Sequence, residues 1–533
     1  MTNDIQPFLS ALRARVEPLE IEMSDAWWQA NVSASEESEM RAGNAQKAIT
    51  RLYADKAMFE TLRGMDTSRF EADHVRQHYL LLNTVAGNQM EDAVIEELVD
   101  TERRVESAYN TYRPELLGQP TGENALRDIL RVSDDSELRR KAWEASKEIG
   151  VHVEKDVLRL VEIRNQEARR LGYANYYQMS LRLQEQDEET LFALLEDVTK
   201  RTESLWRSYK ADLDTRLAAR FKVTIDELQA WHYPDPFFQE APTGETDFDA
   251  FYKNKNLETL TTNFFDAIGL DVRDILARSD LYERDNKCQH AFCITVGRYG
   301  DVRVLCNCNE SERWMGTMLH EFGHAVYDKY IGEDLPFFLR GPSHTLTTEA
   351  VAMLMGRLSR NAAFLTRYVG VPAAEAQAVS AEGNAETAAQ LLILVRWVAV
   401  MAHFERALYT DPTQNLNALW WTLVARYQNV RKPEGGNAPD WAAKLHLALA
   451  PVYYHNYLLG EMMASQLLDY LQEKTLPSGD DDYLVSSPAV GDYLRHQIFA
   501  CGARLPWNAL IESATGEPLN PTHFVRHLQK AAG

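Results

Sequence analysis

Three long stretches of the chain, 137–172, 188–220 and 388–410, repeat apolar residues every third or fourth position with charges between them. That is the period of a helix with one buried face, and proline and glycine are sparse inside it. One segment departs from the pattern. Residues 290–296 (HAFCITV) and 301–306 (DVRVLC) are short, apolar and rich in β-branched side chains, with Gly297 to Gly300 between them, which predicts a hairpin. The polar runs 232–247, 430–440 and 475–482 are predicted loops, not domain boundaries. No internal repeat or low-complexity linker divides the 533 residues, so the expectation is one mainly α domain over 1–533.

Shortly after the hairpin comes WMGTMLHEFGHAVYDKY, residues 314–330. Met315, Leu319, Phe322, Val326 and Tyr327 give it the apolar face of a helix. Residues four apart share a helix face, so His320 and His324 can meet one Zn²⁺ at about 2.0–2.1 Å. Glu321, one position after the first histidine, reaches the attacking water instead of the metal and takes its proton. The alternative is an amphipathic helix with two incidental histidines. A catalytic zinc also needs a third protein ligand and an open position. Downstream, Pro342 and Ser343 end one element and Thr345 to Thr348 are set to cap the next. Glu349 is expected in that helix's first turn, 25 residues after His324. An acid there ordinarily complements the helix dipole; the paired histidines upstream favour a His₂Glu centre holding one zinc ion. The predicted hairpin edge nearby is suited to pairing with an extended peptide.

Charge then narrows the partners. The net charge is −23, from 56 basic and 79 acidic residues. A nucleic-acid-binding surface has to be basic, and an anionic membrane surface attracts basic segments, so neither is expected. Five cysteines, four of them between 288 and 308, lack the paired C-x2-C knuckles of a zinc ribbon and read as buried thiols in a reducing compartment. The start of the chain shows no basic-then-apolar leader, and no apolar run of about 18 residues is evident. The expected setting is cytoplasmic; nothing in the pattern sets an oligomeric state.

The residues then point to a family. The block HEFGHAVYDKYIGEDLPFFLRGPSHTLTTEA, 320–350, resembles the angiotensin-converting-enzyme family of zinc peptidases in order and spacing, and more distantly the thimet oligopeptidases. AWWQANVSASEE (26–37), the segments between 140 and 176, WWTLVARYQ (420–428) and AKLHLALAPVYYHNY (443–457) carry the resemblance through most of the chain. It implies an almost wholly helical, two-lobed body with a deep central channel that admits short peptides and a hairpin beside the active site. It also implies roles: His446 for the tetrahedral intermediate, Lys444 for a substrate's C-terminal carboxylate, His290 and Ala291 for the active-site strand. Tyr457 is assigned as oxyanion donor and Tyr454 as carboxylate contact, although both sit one residue further from His446 than the family pattern and Tyr453 competes. Gln239 is the candidate for a glutamine that assists carboxylate binding.

Two departures stand out. Met353 occupies the position where the family often has an aspartate that orients a zinc histidine. Val424, and Tyr454 or His455, stand where chloride-binding arginines are expected, so chloride activation is not expected. The activity implied is removal of dipeptides from peptide C-termini; the alternatives are a thimet-type oligoendopeptidase and a non-catalytic binding module that kept the fold.

Overall fold

The computed structural model describes residues 5–242, 244, 246–474 and 481–531. It is helical nearly throughout, with two antiparallel sheets of two strands each among the described residues. The chain forms two compact units, each assembled from three separated segments.

The first unit comprises Met1–Gln89, Thr246–Gly383 and Leu459–Phe524. It begins with the helices Gln6–Val32 and Glu36–Tyr53, whose apolar faces meet around Leu9, Leu12, Val16, Ile49 and Leu52. A reciprocal cap separates them: the Ser35 hydroxyl accepts the Ser38 N–H at 3.1 Å while the Ser38 hydroxyl accepts the Ser35 N–H at 2.9 Å. Trp27 and Trp28 at the end of the first helix pack on Phe292, with ring centroids 4.5 and 6.0 Å away.

Phe292 opens the hairpin, whose strands Phe292–Val296 and Asp301–Leu305 pair from Phe292↔Leu305 to Val296↔Asp301. Gly297 (φ 72°) and Gly300 (φ 80°) supply the left-handed backbone of its turn. The hairpin starts two residues later than predicted, so His290 and Ala291 precede the strand; His290 is exposed and Ala291 half-buried. Long-range ties close this unit. Arg76 Nε donates to Ala503 O at 2.7 Å, Arg504 pairs with Asp73 at 2.9 Å, and the Ser343 hydroxyl donates to Leu505 O at 2.7 Å.

The second unit comprises Met90–Glu245, Asn384–Leu458 and Val525–Gly533. Its spine is the 35-residue helix Ser136–Arg170, capped by Asp135, which accepts the N–H groups of Glu137 and Leu138. Gly150 lets the predicted loop 430–440 come close: a Cβ there would lie 2.5 Å from Pro439 O. Arg139, fully buried, donates to the carbonyls of Trp231, His232 and Tyr233 and fixes the predicted loop 232–247 against the same helix.

Several expectations need correction. The stretch 188–220 is two helices, Glu188–Arg201 and Glu203–Phe221, which meet at Thr202. The stretch 388–410 belongs to a longer helix, Ala373–Thr410. That helix contains an 18-residue window of mean hydropathy 1.5, apolar enough to cross a membrane; 72% of the window is buried, as in a core helix. Of the five cysteines, all unpaired, only Cys306 is fully buried. Residues 475–480 of the third predicted loop lie outside the described residues, and Asp481 and Asp482 open the helix Asp481–Ser486.

Candidate active site

His320, Glu321 and His324 all lie on the helix Glu312–Lys329, which starts where the Ser311 hydroxyl accepts the Trp314 N–H. Its buried face is Met315, Met318, Leu319, Phe322, Ala325 and Val326. Glu349 lies on the helix Thr345–Gly356. The cap of that helix is not a threonine: His344 Nδ1 accepts the Leu346 N–H at 3.0 Å, and the Thr347 and Thr348 hydroxyls donate to carbonyls of the first turn. Glu349 is therefore the fifth helical residue, beyond the first turn, and the helix dipole, which acts within that turn, is a poor reason for its presence.

Glycines let the two helices meet. A Cβ on Gly323 would come within 2.7 Å of Ala352 Cα, and one on Gly356 within 3.3 Å of His320 Cβ. A third close approach, Gly460 against Glu349 Cβ at 3.1 Å, comes from the helix His455–Lys474. Gly323→Ala is expected to cost roughly 1–3 kcal/mol by overpacking and to weaken metal binding as the helices separate. Chemical denaturation without metal and a zinc titration check this; unchanged stability and affinity would show that the seam has room.

The ligand atoms of His320, His324 and Glu349 lie within 4.8 Å of one another. Glu349 Oε2 is 3.7 Å from His320 Nε2 and 3.8 Å from His324 Nε2, with the two rings nearly perpendicular at 85°. Ligands about 2.0–2.1 Å from a tetrahedral zinc sit about 3.4 Å apart, so small side-chain adjustments would close this triangle on an ion. Burial pushes His320 down to about 4 and, with His320 beside it, His324 down to about 3. Both imidazoles are then neutral near pH 7, as metal ligation requires. Glu321 is 8% exposed, and burial, with the charge of Glu349 adding to it, raises its carboxyl to about 8. The donor set and its half-open face fit zinc. Met353 offers only a weak thioether acceptor where a carboxylate would orient a ring, and among the described residues Glu349 is the one acid paired with either histidine.

Beside the metal helix, the outer edge of the second hairpin strand is occupied by Asp280, whose N–H donates to Val304 O at 2.9 Å. Among the described residues the backbone of the first strand bonds only to its hairpin partner, which leaves an edge for an extended chain.

The second unit gathers the other predicted residues. Lys444 Nζ donates to Gln239 Oε1 at 2.7 Å, the Tyr454 hydroxyl reaches the same oxygen at 3.4 Å, and Trp397 Nε1 donates to Tyr454 Oη at 2.7 Å. The rings of Phe237, Trp397 and Tyr454 surround the ammonium at 5.3–5.5 Å. Burial lowers Lys444 to about 8. His446 packs on Tyr454 and Tyr457, centroids 4.9 and 6.4 Å away, and is pushed down to about 3 by burial and by Lys444. Its Nδ1 is buried without a hydrogen-bond partner, which in a native site calls for an explanation. Tyr453 packs edge-on against Tyr457, ring centroids 5.4 Å apart.

Sequence reasoning missed Asp235. Its carboxylate accepts the N–H groups of Phe237, Gln239 and Glu240 at 2.8–2.9 Å and so shapes the turn that presents Gln239. The signal was the run Pro234-Asp235-Pro236, an Asx-turn sequence. At the positions where the family resemblance implies anion-binding arginines, Val424 is buried and His455 is hydrogen-bonded to Gln186 at 2.5 Å.

The profile of "Peptidase family M3" matches residues 129–530, and that of "Angiotensin-converting enzyme" matches residues 1–230. The first match contains every residue described in this site. Among curated proteins the chain is similar to the "Inactive angiotensin-converting enzyme-related protein" of Caenorhabditis elegans, 22% identical over 307 residues, or 54% of this chain and 33% of that protein. The chain thus spans about a third of that relative's length.

Proposed function

Since this chain belongs to peptidase family M3, we propose that it is an active zinc peptidase that hydrolyses short peptides and releases dipeptides from their C-termini. The observation that carries this reading is the convergence of His320, His324 and Glu349, with Glu321 beside them. The relative described as inactive does not transfer that description here: the base and all three ligands are present.

His320, His324 and Glu349 would hold the ion, which when bound polarises a carbonyl and acidifies water. Glu321, mostly protonated near pH 7 without the ion and ionised by the positive charge the bound metal would add, accepts the proton as the water oxygen bonds to the scissile carbon, and returns it to the amine nitrogen as the C–N bond breaks. The second proton of the water passes to the same nitrogen, so the products are a carboxylate and an ammonium group. His446, neutral and with one nitrogen unsatisfied, and Tyr457 are assigned as donors to the developing oxyanion. Lys444, with Gln239 and Tyr454, is assigned to the C-terminal carboxylate of the substrate. The free strand edge pairs the peptide backbone. All five cysteines are unpaired thiols, the state a reducing compartment maintains, and we assign the activity to the cytoplasm.

The deciding experiment measures bound zinc and compares hydrolysis of free-acid and C-terminally amidated forms of one peptide. Hydrogen bonds to charged groups contribute roughly 1.5–3 kcal/mol, or about 10- to 150-fold in kcat/KM. Lys444→Ala should lose that factor on the free acid and little on the amide. The free-acid preference should also fade as pH rises through about 8, where the free enzyme's ammonium loses its proton. Equal cleavage of acid and amide by the wild type would replace this reading with the oligoendopeptidase one.

A further inference from the structure

Beside the hairpin turn, the first unit holds a half-open cavity of about 940 Å³ whose lining contains none of the zinc ligands. Its walls come from the two N-terminal helices, the helix Ala72–Gly87, the hairpin turn, the end of the metal helix and the segment after it. Asp328 on the metal helix lines it, one turn beyond His324 and on the same face. The cavity is thus a neighbour of the metal centre along one helix.

Six charged side chains line the cavity: Glu20, Asp328, Glu333, Arg298, Lys329 and Arg340. The cations are committed. Arg298 forms two hydrogen bonds to Glu20 at 2.7 and 2.8 Å, Lys329 pairs with Asp274 at 2.6 Å, and Arg340 donates to the carbonyls of Leu335 and Glu333. Glu333 is exposed. Asp328 is left with one partner among the described residues, the Thr295 hydroxyl, which donates to Oδ2 at 2.5 Å. Burial raises its carboxyl to about 6, and a half-buried carboxylate with one neutral donor is costly unless a cation joins it. Met23, Ile49 and Leu80 on the facing wall supply apolar surface along which the stem of a basic side chain can lie.

We propose that Asp328 is a specificity-determining residue that binds a cationic group of the peptide, an ammonium or guanidinium on the amino-terminal side of the scissile bond. This rests on the peptidase reading, in which the carboxyl-terminal end of the peptide is assigned to Lys444. The cation has two sources, the free N-terminus and a lysine or arginine side chain.

Two pairs of peptides distinguish them: free against acetylated N-termini without basic residues, and acetylated peptides with lysine against norleucine at each of the two residues before the cleaved bond. Wild type is expected to favour the cationic member of at least one pair by about tenfold in kcat/KM, the lower end of what a charged hydrogen bond gives. Asp328→Asn still accepts the Thr295 hydroxyl, so a merely structural role would leave the ratio alone; the proposal requires it to fall to near one. Asp328→Arg should turn the preference towards glutamate. Equal rates on both pairs in wild type, or an unchanged ratio in Asp328→Asn, would overturn the proposal. If wild type cleaves no peptide at all, it is the peptidase reading that fails; equilibrium binding of the same peptides to wild type and Asp328→Asn then decides the role of Asp328 separately.

Discussion

Glu321→Gln is expected to hold a full complement of zinc while its turnover falls by about 10²–10⁴-fold, the range a positioned general base contributes. The substitution keeps the size and the hydrogen-bonding reach of the side chain and removes only the ability to take a proton. Because Glu321 is buried and not among the three grouped ligand atoms, the metal centre should not notice the change. KM on short peptides should stay close to wild type, since binding does not need the proton acceptor. Metal analysis alongside steady-state kinetics checks both halves. Stoichiometric zinc with near wild-type kcat would remove Glu321 from the mechanism.

Glu349→Ala should lose the ion itself. Removing a group that only orients a ligand typically costs about 10–100-fold in metal affinity, and removing a ligand should cost more. The two histidines would remain 4.9 Å apart, centroid to centroid, with no anion to complete the set. Metal bound to the native state stabilises it by mass action, so wild type should melt at a lower temperature in chelator than in zinc. That difference should vanish in Glu349→Ala, and in His320→Ala and His324→Ala as well. If Glu349→Ala kept wild-type zinc affinity, another side chain would be the third ligand.

The helical fold and the metal residues were legible because both follow from a local period. A four-residue spacing puts His320 and His324 on one face wherever the helix goes. What surrounds them was not local. His344 as a helix cap was missed because caps are usually serine, threonine, aspartate or asparagine. Gly323 reads as an ordinary helical glycine until Ala352, 29 residues on, is seen against it. The cluster at Lys444 joins Tyr454, ten residues on, to Phe237, Gln239 and Trp397 from two distant segments, and no window along the chain holds them all together. The resemblance suggested Lys444 and Tyr454, whereas the aromatic enclosure that lowers the lysine needed the fold.

The segment order of the two units also bears on synthesis. Arg76 finds its carbonyl partner at Ala503, 427 residues later, and the first unit as a whole draws on residues from both before Gln89 and after Leu459. During translation the N-terminal helices therefore emerge long before the chain that completes their unit. Loop-closure entropy grows only slowly with length, so the delay is mostly one of time. At roughly 5–20 residues per second, Arg76 waits on the order of tens of seconds for Ala503. The apolar seam of Leu9, Leu12, Ile49 and Leu52 has to be held by its own two-helix pairing until then, and the nascent chain is a natural client for chaperones throughout that interval.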